Sequence, residues 1–175
     1  MSAVTESPYE IRLARPADLA RLAAIELAAA RLLVGWAPDS VLWETTPIAD
    51  LETARAADLL WVASIGDEPV GFAHLKHIEP GSVHLDELDV HPDHGRRGVG
   101  RRLVTTVCEQ AASEGVGAVT LSTFRNPPWN RPFYASIGFE DIASGELSDA
   151  LSAIVADEAR RGLDPEGRVV MRRRL

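Results

Sequence analysis

The chain has 175 residues, 46% of them hydrophobic and 25% charged, with a formal net charge of -8. That length suits one domain, spanning 1–175, with a single core. No apolar run reaches the roughly 18 residues of a membrane span, and an acidic chain lacks the basic face that supplies most nucleic-acid affinity. Neither a membrane nor a nucleic acid is therefore an expected partner. The opening MSAVTESPYE shows no basic region followed by an apolar one, so no secretory signal is read there. The one cysteine, Cys108, has no internal partner for a disulfide and is expected as a small buried residue on a helix. A reducing cytoplasm is the expected compartment.

The alternation over 9–14 predicts a strand. Pro16 suits the first turn of a helix reaching about residue 31, with Leu19, Leu22, Ala23 and Leu27 on its apolar side. Residues 34–47 read as a loop carrying Trp36 and Trp43, and 48–57 as a short helix. Strands follow over 59–65 and 70–77, joined by a tight turn at Gly66 and Asp67, then another over 83–90 after the turn at Pro80 and Gly81. A helix over 99–113, a strand over 116–123, a short helix over 130–137, a strand over 139–143, a helix over 147–161 and a strand over 168–173 complete a mixed α/β order.

One strand breaks its own rhythm. Val83 and Leu85 alternate correctly, but the next apolar residues, Leu88 and Val90, are one step out of phase. An extra residue near Asp86 and Glu87 would put all four on one face, which predicts a β-bulge there and a gap beside the neighbouring strand.

The stretch LDVHPDHGRRGVGRRL, 88–103, reads as a strand, a tight turn, a glycine-rich loop and the start of an amphipathic helix. Gly98 and Gly100 let a ligand approach the backbone, and the first helical turn presents unpaired N–H groups at the positive end of the dipole. That arrangement suits phosphates, with Arg96, Arg97, Arg101 and Arg102 nearby. The loop lacks the Gly-Lys-Ser/Thr of a Walker P-loop and the third glycine of a dinucleotide fingerprint. A loop that only turns the chain is the other reading.

These residues resemble the GNAT superfamily of N-acetyltransferases. Leu88, Val90, Pro92, Gly98, Gly100 and Leu103 match, in order and spacing, the family's strand ending in Leu-x-Val-x-Pro and the Gln/Arg-x-x-Gly-x-Gly/Ala that opens a helix. Gly95 departs from it, standing where the family has Gln or Arg; glycine there is expected to weaken the site without abolishing it, with Arg96 compensating. A second stretch, RNPPWNRPFYASIGFED over 125–141, is similar to the family's Asn-containing helix followed by Phe-Tyr-x-x-x-Gly-Phe. It matches at Phe133, Tyr134, Gly138 and Phe139, with Asn126 and Asn130 flanking the usual asparagine position.

The resemblance implies a mostly antiparallel mixed sheet flanked by helices, with splayed central strands forming an acetyl-CoA cleft. It implies cofactor contacts at Leu88, Asp89, Val90, Gly95, Arg96, Arg97, Gly98, Val99, Gly100 and Arg101, and at Asn126 or Asn130. Acyl transfer to an amine requires removal of the amine's proton, a cost of about 4–5 kcal/mol for a lysine-like amine at neutral pH. Glu87 is the candidate base, with Asp86 and Asp89 as alternatives. The resemblance further implies Tyr134 as the acid that protonates the departing sulfur, and a backbone N–H at Leu88 or its neighbour as the oxyanion donor.

The implied reaction is acetyl transfer from acetyl-CoA to the amine of a small molecule or amino acid, by a monomer or homodimer. Protein N-termini or lysines are the alternative acceptors, and a non-catalytic acyl-CoA-binding module is a further reading. His91 and His94 share a turn with no clear further ligands, so no metal is expected. The tryptophans, including Trp129, suit either packing or an amine pocket.

Overall fold

The computed structural model describes residues 7–175; residues 1–6, part of the segment read for a signal, lie outside them. Strand β1 (Glu10–Leu13) leads through a 3-10 turn at Pro16–Asp18 into α1 (Leu19–Ala30). Asp18 closes that entry by accepting the Arg15 N–H at 2.6 Å and two bonds from the Arg12 guanidinium at 2.6 and 3.0 Å. Helix α1 buries Leu19, Leu22, Ile25 and Glu26. The buried stripe thus runs through an acid where the sequence pattern had suggested Leu27.

The expected loop over 34–47 contains a four-residue helix, α2 (Asp39–Leu42), before α3 (Ile48–Ala56). Strands β2 (Leu60–Ile65) and β3 (Glu68–Glu79) meet at the expected turn, where Gly66 takes φ 56°. Then follow β4 (Ser82–Val90), α4 (Val99–Ser113), β5 (Ala118–Phe124), α5 (Arg131–Ala135), β6 (Glu140–Asp141), α6 (Asp149–Arg160) and β7 (Arg168–Arg174). Helix α5 is shorter than the expected 130–137: Asn130, at φ -85° and ψ -80°, is not helical, and Gly138, at φ 90°, turns the chain three residues past its end.

The seven strands form one sheet in the order β1-β2-β3-β4-β5-β7-β6, antiparallel throughout except between β4 and β5. Helix α4 covers one face with Leu103, Val104, Val107, Cys108 and Ala111, packed on Ala73, Leu75, Val83, Leu85 and Leu121. Each such buried Leu or Val contributes about 1.5–3 kcal/mol. Helices α1 and α3 cover the other face over Leu60, Val62 and Phe72, and α6 covers it over Val170. No helix of the described residues is long and apolar enough to cross a membrane.

The bulge lies where the phase break placed it. Leu75 pairs with Leu85 and His74 with Glu87, so Asp86 has no partner in the ladder. Val83, Leu85, Leu88 and Val90 consequently all pack on the α4 side. Beyond the bulge the sheet opens. Residues 82–85 of β4 pair with 118–121 of β5, after which 86–90 and 122–124 do not pair with each other.

Candidate active site

Three features meet at the mouth of that opening. The first is the backbone of β4. The His91 N–H donates to Val70 O on β3 at 2.8 Å. Alternation along a strand then turns the N–H of Asp89 toward β3, and the N–H groups of Val90 and Leu88 into the gap. Gly71 sits opposite: a Cβ there would stand 2.8 Å from Asp89 O, so only glycine allows this close pairing.

The second feature is the loop into α4. Gly98 caps the helix at φ 80°, and no heavy atom lies within 4 Å of where its Cβ would stand. The first-turn N–H groups, those of Val99, Gly100 and Arg101 among them, have no intrahelical acceptor. Gly95 has φ -63° and ψ 156°, an ordinary conformation, whereas the left-handed one falls on Arg96 at φ 57°. Such a conformation costs a side-chain-bearing residue roughly 1–2 kcal/mol. Arg96 and Arg97 are exposed. The Arg101 guanidinium instead ties α4 to α5, donating to Ser136 Oγ at 2.8 Å and Ser136 O at 3.3 Å.

The third feature is a set of acids on the α1 side. With the bulge in place, Glu87 and Asp89 turn away from α4 and toward α1. A carboxylate oxygen from each of Glu26, Glu87 and Asp89 lies within 4.8 Å of the other two. Glu26 accepts from Thr46 N at 3.0 and 2.9 Å and from Thr46 Oγ1 at 3.1 Å. Asp89 Oδ2 is sealed from solvent and has no hydrogen-bond partner. Burial pushes the Glu87 carboxyl well above the usual carboxylate range, and the charges of Asp89, Glu26 and Asp86 push it further. Burial, then Glu26, raises Asp89 in the same way. Glu26 is raised by burial against the opposing Thr46 bonds. Asp86, the other acid read as a possible base, instead holds Lys76 Nζ at 2.7 Å.

Tyr134 approaches from the opposite side. It packs with the α4-side core, its ring edge-on to Phe133 at 5.0 Å and to Phe139 at 5.8 Å. Burial raises its hydroxyl pKa, and Asp89 and Glu87 add to the rise. The two asparagines part company here. Asn130 stands at the N-terminal boundary of α5, the helix that carries Tyr134, without a side-chain capping bond. Asn126 lines a cavity of about 160 Å³ with Trp36, Pro38, Phe124, Leu163 and Asp164.

The segment over 31–47 forms part of that wall. Trp36 meets Trp129 edge-on at 6.1 Å, and Glu44 binds Arg161 at 2.6 Å, tying the segment to the end of α6. Trp36, Trp43 and Trp129 are 45%, 70% and 46% exposed, so none is a core residue. In the turn before α4, the His91 ring accepts from Asp93 N and His94 Nδ1 meets the Tyr9 hydroxyl at 3.2 Å.

Residues 26–139 match the family model described as the acetyltransferase (GNAT) family, and the chain belongs to that family. The fold agrees. The PaiA N-acetyltransferase of Thermoplasma acidophilum, solved with coenzyme A, superposes at a TM-score of 0.75 with 17% identity over 95% of this chain and 99% of that one. The N-acetylglutamate synthase of Neisseria gonorrhoeae, solved with coenzyme A and N-acetyl-glutamate, gives 0.68 and 19% over 98% of this chain and 36% of that one. The ribosomal-protein-S18-alanine N-acetyltransferase of Escherichia coli gives 0.63 and 16% over 95% and 93%. By its family the protein is an acetyltransferase, and acetyl-CoA is the usual donor of that family. The open strand gap, the unpaired first turn of α4 and the open space at Gly98 fit that donor.

Proposed function

We propose that residues 1–175 form one N-acetyltransferase domain acting on the amine of a small molecule or amino acid by direct attack on the thioester. Glu87 is the base and Tyr134 the acid in this reading. The observation that carries it is their placement: Glu87 faces α1, Tyr134 packs on the α4 side, and the end of β4 that β5 leaves unpaired runs between them. Acetyl-CoA supplies the activated acetyl group. Leu88 N–H, turned into the gap, polarises the carbonyl; Val90 N–H, the first turn of α4 and Asn130 hold the rest of the donor. Arg96 and Arg97 contribute charge near the phosphates.

Glu87 removes the amine's proton. Its raised pKa suits the task, because a carboxylate of higher proton affinity takes a proton from an ammonium more readily than an ordinary one does. Tyr134 stays protonated at working pH and donates toward the sulfur. Part of the rise in its pKa comes from Asp89 and Glu87, and it lessens once Glu87 has accepted a proton.

The bridge between Glu44 and Arg161 ties the 31–47 segment to the end of α6, near enough for the Arg161 charge to act on Glu87, and favours a compact acceptor. The exposed Leu32, Val34 and Trp43 favour a second reading, a protein N-terminus or lysine resting on that apolar patch. Release of free CoA, measured over a panel of small amines, amino acids and peptides, separates the two. Turnover only with peptides would replace the first reading. Thermal unfolding with acetyl-CoA and with NAD checks the donor site: a ligand at a hundred times its Kd adds about 2.7 kcal/mol, a rise of about 5–10 °C for a domain of this size.

A further inference from the structure

The loop that precedes α4 is open on its outer side: Arg96 and Arg97 are exposed, and no heavy atom lies within 4 Å of where a Cβ on Gly98 would stand. It nevertheless keeps Arg96 in the left-handed region at φ 57°. A residue with a side chain persists there only where its surroundings over-determine the backbone. That restraint comes from a distant part of the sequence, residues 7–9, just ahead of β1.

The segment grips both ends of the loop. Upstream, the Tyr9 hydroxyl shares a hydrogen bond with His94 Nδ1 at 3.2 Å, and the two rings meet edge-on at 5.8 Å. His94 is the residue before Gly95. Downstream, the Arg102 guanidinium of α4 donates to Tyr9 O at 2.8 Å and to Ser7 Oγ at 2.6 Å. Ser7 Oγ also accepts the Tyr9 N–H at 3.4 Å, which ties the segment to itself. Tyr9 is fixed in turn by burial, since it belongs to the core on the α4 side with Val99 and Leu103. Arg102, expected from the sequence near the phosphates, turns its Nη1 to this segment instead.

Taking the donor site proposed above as its basis, we infer that residues 7–9 are a brace that presets the 95–98 backbone for the donor's pyrophosphate. Tyr9 and Arg102 are positioning residues in it, and neither side chain needs to touch the donor. Without the brace the loop samples other backbone states, and the donor must order it on binding. With the brace that ordering is complete in the free protein, which favours affinity without any new contact. The backbone upstream of the loop is already paired: His91 N–H donates to Val70 O at 2.8 Å, His94 N–H to His91 O at 2.8 Å and Gly95 N–H to Pro92 O at 3.0 Å.

The test compares CoA with pantetheine, which keeps the thiol arm of CoA and lacks its pyrophosphate and nucleotide. Binding of each to the full chain is read calorimetrically in the wild type, in Tyr9→Phe and in Arg102→Met. Tyr9→Phe keeps the ring and every charge. It is expected to weaken CoA about fivefold, the effect of one hydrogen bond, and to leave pantetheine within about twofold of wild type. Arg102→Met is expected to weaken CoA about tenfold, again with pantetheine unchanged. Equal losses for both ligands overturn the brace, because they mark a general loosening of the fold. CoA binding that Tyr9→Phe leaves at the wild-type level also overturns it, and a loss in Arg102→Met alone would assign Arg102 directly to the phosphates. Should a variant fail to fold, amide hydrogen exchange on the free wild type decides. His94 and Gly95 should exchange slowly before any ligand is added, and exchange at the rate of an open chain overturns the brace. A wild type that binds no CoA at all would sink the donor site itself, and the brace with it.

Discussion

Two groups of carboxylates occupy the same face of the sheet, and they have been treated in opposite ways. Glu158 on α6 meets Arg168 of β7 at 2.6 Å and the Ser122 hydroxyl of β5 at 2.9 Å, while the Arg168 guanidinium also lies 4.5 Å over the Phe124 ring. Every charge there has its opposite. A few strands away, Glu26, Glu87 and Asp89 converge with no cation in salt-bridge contact among the described residues, Arg161 acting on them only from a distance. Asp18 belongs with the first group. Burial alone would raise its pKa, but the Arg12 hydrogen bonds and the Arg15 N–H bring it below the usual range. An acid that serves the fold comes with its counter-charge in contact, and the acids beside the gap do not.

The sharpest way to break that contrast is Glu87→Gln. Loss of a positioned base costs about 100- to 1000-fold in kcat, and the amide should leave the acetyl-CoA thermal shift intact. Wild-type turnover in this variant would remove Glu87 from the mechanism and return attention to Asp89. Next in size is Arg168→Ala, which strips the compensated acid of its cation. Leaving Glu158 buried and unpaired costs about 3 kcal/mol, or roughly 6–12 °C in Tm. A Tm within a degree of wild type would mean that water replaces the guanidinium at no cost, and the distinction between the two groups would lose its force. Tyr134→Phe comes third. It should lower kcat by about 10- to 100-fold and leave the KM for acetyl-CoA near wild type, a result read from steady-state kinetics across pH. Full turnover at every pH would end its role as the acid.

The α4 side of β4 was legible in the sequence, and the α1 side was not. Apolar residues announce their face by period, so a single phase slip between Leu85 and Leu88 was enough to locate the bulge and, from it, the gap. Glycines at 98 and 100 before an amphipathic helix likewise pointed to the anion site. Glu26 gave no such signal. It lies one residue from an apolar position on a helix whose stripe could be drawn through Leu27, and nothing local says that an acid is buried. Its partner, Thr46, comes from a segment read as loop. Asp89 is read from the sequence both as part of the cofactor strand and as an alternative base, but nothing local tells that its side chain meets Glu26. The two asparagines could not be separated either, because their difference depends on where α6 and the 31–47 segment come to rest.

The smallest effect is also the one that tests the contrast without any substrate. Asp89 and Glu87 have folded-state pKa values above the ordinary carboxylate range, so between that range and their raised values the folded chain holds protons that the unfolded chain has lost. Stability therefore falls as pH rises through that window. Asp18 has the reverse sign: its stabilisation is present above the ordinary carboxylate pKa and is lost as pH falls through its lowered one. Asp89→Asn keeps the shape of the protonated acid and cannot ionise, so its Tm at neutral and mildly alkaline pH should exceed wild type, by about 2–4 °C for each kcal/mol of relieved repulsion. At pH values low enough to protonate the wild-type acids, the difference should close. The same substitution idea applied to the compensated acid, Asp18→Asn, should destabilise at neutral pH, because it leaves Arg12 without its partner. Opposite signs from two Asp→Asn changes in one chain would show that the uncompensated acids are maintained at the expense of stability. A loss of Tm in Asp89→Asn at neutral pH would show that Asp89 already has a favourable partner in the free protein, and the contrast between the two groups of acids would fail.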